Sequence, residues 1–326
     1  MARGMGGDPV NHRLSLERIE HAATVIPTEF LNSPQFRAES LEPLLGCRLI
    51  VKLETANPIR SFKGRGPAYF VHGLEPGARI VCASAGNFGQ GLAYAVRRRG
   101  DLDLTVYASV NANGLKLERM RALGARVVLA GEDFDAAKLE AKRFAAESGA
   151  MMVEDGLIPS ISEGAGTIGL ELARFDGAID DLLVPLGNGA MLGGVARWFK
   201  HARPDTRVVA VQAAGAPAML ESWRSGTLVM HSTMNTIADG IGVRVPIVEA
   251  VSDMNGLVDD GLLVRDETIL EAMRLAHTHL GVVLEPSGAA GLGAILEHRE
   301  RFAGRSVAAI LCGGNLTPEQ MRAWLQ

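Results

Sequence analysis

The chain has 326 residues, 47% hydrophobic and 21% charged, with a formal net charge of -4. That length exceeds what one hydrophobic core usually supports, so two lobes or one large α/β domain with an insertion are expected. Mild acidity gives no broad basic field, which removes nucleic acid and anionic membranes as partners and leaves a small molecule.

The first residues, Met1 to Pro9, lack the apolar core of a signal peptide, and no run approaches the roughly 18 apolar residues of a membrane span. Cys47, Cys82 and Cys312 are far apart, form no CxxC pair and lie in or beside apolar runs. Reduced thiols fit that pattern better than a disulfide framework or zinc ribbon, so a cytoplasmic location is expected.

In chain order, a polar leader precedes a predicted helix from about Leu14 to Ala23, and Leu49–Leu53 reads as a strand stopped by the turn Thr55-Ala56-Asn57-Pro58. Further strands are predicted at Ile80–Cys82, Leu104–Tyr107, Arg126–Leu129, Met151–Val153, Leu182–Pro185, Val208–Gln212, Leu263–Val264 and Val307–Leu311. Between them lie helical patterns at Gly89–Arg99, Leu115–Leu123, Asp133–Ser148, Gly164–Phe175, Met191–His201 and Asp266–Leu280. This alternation predicts an α/β protein of two doubly wound parallel-sheet lobes, with ligands at the carboxyl ends of the strands. The units between Ile80 and Val153 read as a small inserted lobe, residues 74–153, with residues 1–73 and 154–326 forming the large one. The apolar stripe of the helix Asp133–Ser148 reads as core. His277 and His279, two apart on a helix, point to different faces and read as surface histidines.

Four segments carry chemistry. Ser61-Phe62-Lys63-Gly64-Arg65-Gly66 sets a lysine just beyond an apolar strand, with glycines leaving room around its amine. The alternative is a surface lysine beside a helix start, capped by Ser61. Ala83-Ser84-Ala85-Gly86-Asn87-Phe88-Gly89-Gln90-Gly91 follows a strand and opens a helix, where backbone N–H groups favour an anion or a phenolate oxygen. Its GxGxxG spacing is a weak dinucleotide signal, because no ribose-binding acid follows about twenty residues on.

Leu186-Gly187-Asn188-Gly189-Ala190-Met191 after another strand is a candidate phosphate cradle, although glycines for close helix–sheet packing are an equal reading. Cys312-Gly313-Gly314-Asn315 ends the last strand in a small, neutral side chain; alternatively it is a buried cysteine and a turn. Asp239 and Gly240, and Glu285-Pro286-Ser287-Gly288-Ala289, lie between the third and fourth segments, where the two acids are either solvated or at the border of a site. One assembly uses all of these: a lysine for an imine, an asparagine for a ring oxygen, a glycine cradle for phosphate and a neutral group beside a ring nitrogen. That is a pyridoxal 5'-phosphate site.

On Ser61-Phe62-Lys63 with Arg65-Gly66, Ser84-Ala85-Gly86-Asn87, Glu285 to Ala289 and Cys312 to Asn315, the chain resembles the fold-type II pyridoxal-phosphate enzymes from about Ile26 to Leu316. Among them it looks most like the threonine/serine dehydratases, with serine racemase a close relative. The resemblance implies that Lys63 carries the cofactor covalently and acts as the catalytic base. It implies that Phe62, Asn87, Gly187, Asn188, Gly189, Ala190, Met191, Cys312 and Gly313 bind the cofactor. Ser84, Ala85, Gly86 and Asn87, with Asp239 and Gly240, are then expected to meet a hydroxy amino acid substrate. A homodimer or other homo-oligomer is implied as well.

Departures from the family pattern shape the expectation. Serine racemase has a serine before its Gly-Asn pair to deliver a proton from the opposite cofactor face, and here that position is Ala85, which disfavours racemisation. Metal-binding relatives carry an acid where this chain has Gln212, so no divalent metal is expected. The chain ends at Gln326, which implies no regulatory domain of the biosynthetic threonine deaminase kind. Gly187-Asn188-Gly189 and Gln212 to Pro217 are similar to threonine synthase, so β,γ-replacement on a phosphorylated substrate stands beside α,β-elimination. A non-catalytic amino-acid or cofactor-binding protein is the third reading.

Overall fold

The computed structural model describes residues 12–112 and 114–326. Among the described residues, ten strands form two sheets: β1 (Gln35–Arg37), β2 (Arg48–Leu53), β3 (Arg79–Ala83), β4 (Asp103–Ala108), β5 (Arg126–Leu129), β6 (Met151–Met152), β7 (Asp181–Pro185), β8 (Arg207–Ala213), β9 (Asp260–Val264) and β10 (Ser306–Leu311). The larger sheet runs β1-β2-β10-β7-β8-β9 and the smaller β5-β4-β3-β6. Every pairing is parallel except β1 with β2.

Parallel strands covered by helices on both faces need apolar side chains in both directions, which explains why β7 and β10 are buried at every position. β10 lies between β2 and β7, with Ala309 registered on Val51 and on Leu183. One core cluster fills each face of this sheet, and a third packs the small sheet around Ile80 and Cys82, with Leu92 and Met120. All predicted strands are present, most one residue longer at an end. β1 escapes prediction because it is three residues long and presents no apolar alternation.

The helix predicted from Gly164 begins at Pro159, because a proline is well placed in the first turn, where its missing N–H costs nothing. The helices Arg65–His72, Ala218–Ser225, Val248–Asp253 and Pro318–Trp324 are not among the predicted ones; each is about two turns long, too short for a repeating pattern to build up. Pro159–Leu172 and Ala190–Ala202 approach so closely that a Cβ on Gly194 would lie 1.9 Å from the Ser162 carbonyl oxygen. Among the described residues, no helix is long and apolar enough to cross a membrane.

The carboxyl ends of both sheets converge. Lys63 lies beyond β2, Asn87 beyond β3, Asp155 beyond β6, Gly187 beyond β7 and Cys312 beyond β10. This crevice is where parallel α/β sheets bind ligands.

Candidate active site

Lys63 is placed by a chain of local hydrogen bonds. Asn57 closes the turn after β2 by accepting from the N–H groups of Ile59 and Ser61 and donating to the carbonyls of Glu54 and Ser61. The Ser61 hydroxyl then caps a single 3-10 turn, Phe62–Gly64, by accepting from the Lys63 N–H at 3.3 Å. The Phe62 N–H donates to the Cys312 carbonyl at 3.0 Å, and Ser61 forms a bridge with Gly313. The first and last chemical segments are thus stitched together. Gly91 permits the approach from behind: a Cβ there would lie 2.1 Å from the Lys63 carbonyl oxygen.

Phe62, Lys63, Ser84, Ala85, Gly86, Asn87, Gly187 to Met191, Asp239, Gly240 and Cys312 all line one cavity of about 570 Å³. Gly313 lies behind its wall, where a Cβ would meet Glu285 Oε1 at 2.0 Å. The Lys63 amine lies 4.7 Å from the centre of the Phe62 ring and 5.7 Å from that of Phe88, and it is paired with Asp155.

Asn87 opens the helix Asn87–Arg99. Its Oδ1 accepts from Asn315 at 2.9 Å and one of its amide hydrogens goes to Glu285 at 2.6 Å. One N–H remains for a ligand. The Ser84 hydroxyl accepts from the N–H groups of Gly86 and Gly89, so it holds the loop in shape from beneath.

On the opposite wall, Gly189 has φ 92° and leads into the helix Ala190–Ala202, whose first-turn amides have no acceptor within the helix. A Cβ on Gly187 would lie 2.8 Å from the Gly240 carbonyl, and one on Gly240 would lie 2.7 Å from the Ser287 hydroxyl. The glycines therefore serve both readings: close packing of three loops, and a ring of exposed amides suited to an anion.

Burial pushes the Glu285 carboxyl up to about 7; Asp239 adds to the shift, while Lys116 and the Asn87 amide oppose it. Burial, and after it Glu285, also raises the Cys312 thiol, so it stays neutral. Its sulfur donates to the Ser287 carbonyl at 3.5 Å. The Ser287 hydroxyl is buried with no partner among the described residues and lines the cavity, as a group awaiting a polar ligand would. Asp239 borders the site and pairs with Lys116 at 2.7 Å, while Glu285 is buried rather than solvated. Gln212 is fully buried and turns its carbonyl oxygen to the Leu220 N–H, which ties it to the following helix.

Several cavity residues carry no sequence signal of their own. Asp133, Phe134, Asp135 and Lys138 come from the helix start whose stripe reads as core: Ala137 and Ala141 are buried as expected, but the first turn faces the cavity. Arg244 reaches across to Asp133 and Asp135. Asp155 lies in an Asp-Gly turn after β6, a turn signal at a strand's carboxyl end that would have found it.

An amine on aromatic walls, a spare amide N–H, a neutral thiol with an unsatisfied hydroxyl, and a helix start with free amides fit a ringed aldehyde phosphate. This is the site of a pyridoxal-phosphate enzyme. The family model described as pyridoxal-phosphate dependent enzyme matches residues 26–313. The chain is 30% identical over 312 residues to L-threonine dehydratase catabolic TdcB of Staphylococcus aureus, covering 94% of this chain and 90% of that one. Among solved structures it is similar to maize serine racemase, with TM-score 0.89 and 27% identity over 95% of this chain and 96% of that one. It is also similar to a threonine deaminase from T.th., with TM-score 0.87 and 31% identity over 93% of this chain and 99% of that one. The chain belongs to the pyridoxal-phosphate dependent enzyme family, with the fold-type II architecture, and is a pyridoxal-phosphate lyase resembling the threonine/serine dehydratases.

Proposed function

We propose that this enzyme is a threonine/serine ammonia-lyase, which removes water from L-threonine or L-serine and yields 2-oxobutyrate or pyruvate with ammonia. The observation that carries the reading is the Lys63 amine, held on one wall of a cavity that Asn87, a neutral Cys312 and the amides beyond Gly187 complete. When bound, the cofactor supplies an electron sink for the charge left by a departing α-proton.

The remaining work belongs to the chain. Lys63 would be the point of covalent attachment, and its freed amine would be the base that takes the α-proton. The amides of Gly187 to Met191 would hold the phosphate, and the spare Asn87 N–H would meet the ring oxygen. Cys312 would stand beside the ring nitrogen as a neutral thiol, without the charge by which a carboxylate would hold a proton there, which favours loss of the β-hydroxyl. The loop Ser84 to Asn87 receives the substrate carboxylate at a helix start.

Likeness to a serine racemase favours a second reading, racemisation. Ala85 argues against it, since a methyl group lines the cavity where a hydroxyl would have to move a proton. We further propose the inserted lobe 74–153, a homo-oligomer and a cytoplasmic location.

The test is a 2-oxo acid assay across L-threonine, L-serine, D-serine and threo-3-hydroxyaspartate, with borohydride reduction and peptide mapping. Keto acid from L-threonine or L-serine and a pyridoxyl adduct on Lys63 are expected. Lys63→Ala should lose the adduct, the visible absorption and at least about 10³-fold in turnover. Phosphate release from O-phosphohomoserine without keto acid from threonine would select β,γ-replacement.

A further inference from the structure

Asp155 is the charged partner of the reactive lysine, and its position is tightly fixed. The turn that carries it follows β6, and Gly156 adopts φ +85° with its α-carbon so close to Asn188 that a Cβ would lie 2.0 Å from the Asn188 carbonyl oxygen. Only glycine suits both constraints. Arg13 clamps the same turn, donating to the carbonyls of Gly156 and Leu157 at 2.7 Å each, and is itself anchored on Asp253. The turn is therefore packed directly against the loop Gly187-Asn188-Gly189.

One oxygen of Asp155 pairs with the Lys63 ammonium, and the side chains are only 10% and 14% exposed. The other oxygen is buried and has no partner among the described residues. A half-satisfied buried carboxylate is costly, and its retention calls for a functional reason. Other charges around the cavity are committed elsewhere: Lys116 to Asp239, Lys138 to Glu154, and Arg244 to Asp133 and Asp135. Glu285 is bonded to Asn87, and the Cys312 thiol stays protonated.

We propose that Asp155 is the positioning residue for Lys63: it aims the amine within the cavity and holds it there by a direct charge-assisted hydrogen bond. After Lys63 accepts a substrate proton, breaking a C–H bond and forming an N–H bond, Asp155 stabilises the ammonium that results. The inference rests on Lys63 being the base of the proposed reaction.

Asp155→Asn is the test, since it keeps the shape and removes the charge. In the cofactor-free protein, ¹³C reductive methylation followed by NMR at one fixed pH reads the Lys63 amine directly, and its resonance should move to the position of the solvent-exposed lysines. In the loaded enzyme, kcat should drop about 10²-fold with KM changed less than about threefold. Asp155→Glu should restore part of both readouts. If Asp155→Asn does not fold, Asp155→Ser is read the same way. An unchanged amine resonance or an unchanged kcat overturns the proposal. Absence of keto acid and of a Lys63 adduct in the unaltered enzyme overturns the ammonia-lyase reading instead, while the amine resonance still judges Asp155.

Discussion

Asn87 donates a 2.6 Å hydrogen bond to Glu285, 198 residues further along the chain, and this bond joins the small sheet's first helix to the wall of the large one. Glu285 is fully buried, so its charge is tolerated only through that amide, the Asn315 N–H and the nearby Lys116. The folded-state pKa of about 7 lies above the ordinary carboxyl value, so the folded protein holds this proton more tightly than the unfolded chain does. Its contribution to stability is complete below the unfolded pKa and is lost as pH rises toward about 7. Melting of the cofactor-free protein should show Tm falling across that window, and Glu285→Gln should flatten the slope. An equal slope in the variant would contradict the assignment.

Arg65 is completely buried two residues after Lys63, and bonds both carboxylates of its surroundings, Glu54 and Glu171. Lys52, Ser33 and Thr167 complete a balanced network behind the site. Arg65→Met would leave two buried acids sharing one lysine, at a cost of about 3–5 kcal/mol. A urea midpoint displaced by less than that free energy requires would show the network to be dispensable.

Gly91 touches the backbone of Lys63 rather than a flexible side chain, so an added methyl has no room to be accommodated. Gly91→Ala should shift the lysine turn, reduce cofactor retention and lower kcat/KM by about 10²-fold, although no reacting group changes. Cofactor retained after gel filtration, measured by absorbance, checks it.

Cys312→Asp places a carboxylate where a thiol stays neutral. Elimination should slow by at least about tenfold, as charge is drawn into a protonated ring. Cys312→Ser keeps a neutral group and should retain most of the rate. Steady-state keto acid production compares the two, and an equal or faster Asp variant would refute the argument about ring charge.

Much of this architecture is visible in the sequence because β2, β7 and β10 are largely buried on both faces and read as apolar runs, β7 and β10 ending in glycine turns and β2 in Thr55-Ala56-Asn57-Pro58. The lysine, asparagine and cysteine segments stand out for the same reason: each follows such a run. Arg244 does not, since a charged residue in a loop looks alike whether it faces water or a cavity. Phe134 is hidden by its own helix, whose small buried residues Ala137 and Ala141 dominate the pattern.

The mouth of the cavity is spanned by Lys116 with Asp239 and by Arg244 with Asp133 and Asp135, joining helices of the small sheet to loops of the large one. The acids of these pairs are 42% to 62% exposed, within reach of dissolved ions. Entry and exit of ligands should therefore quicken as ionic strength rises, while the buried pairs deeper in the crevice keep the chemistry itself indifferent to salt.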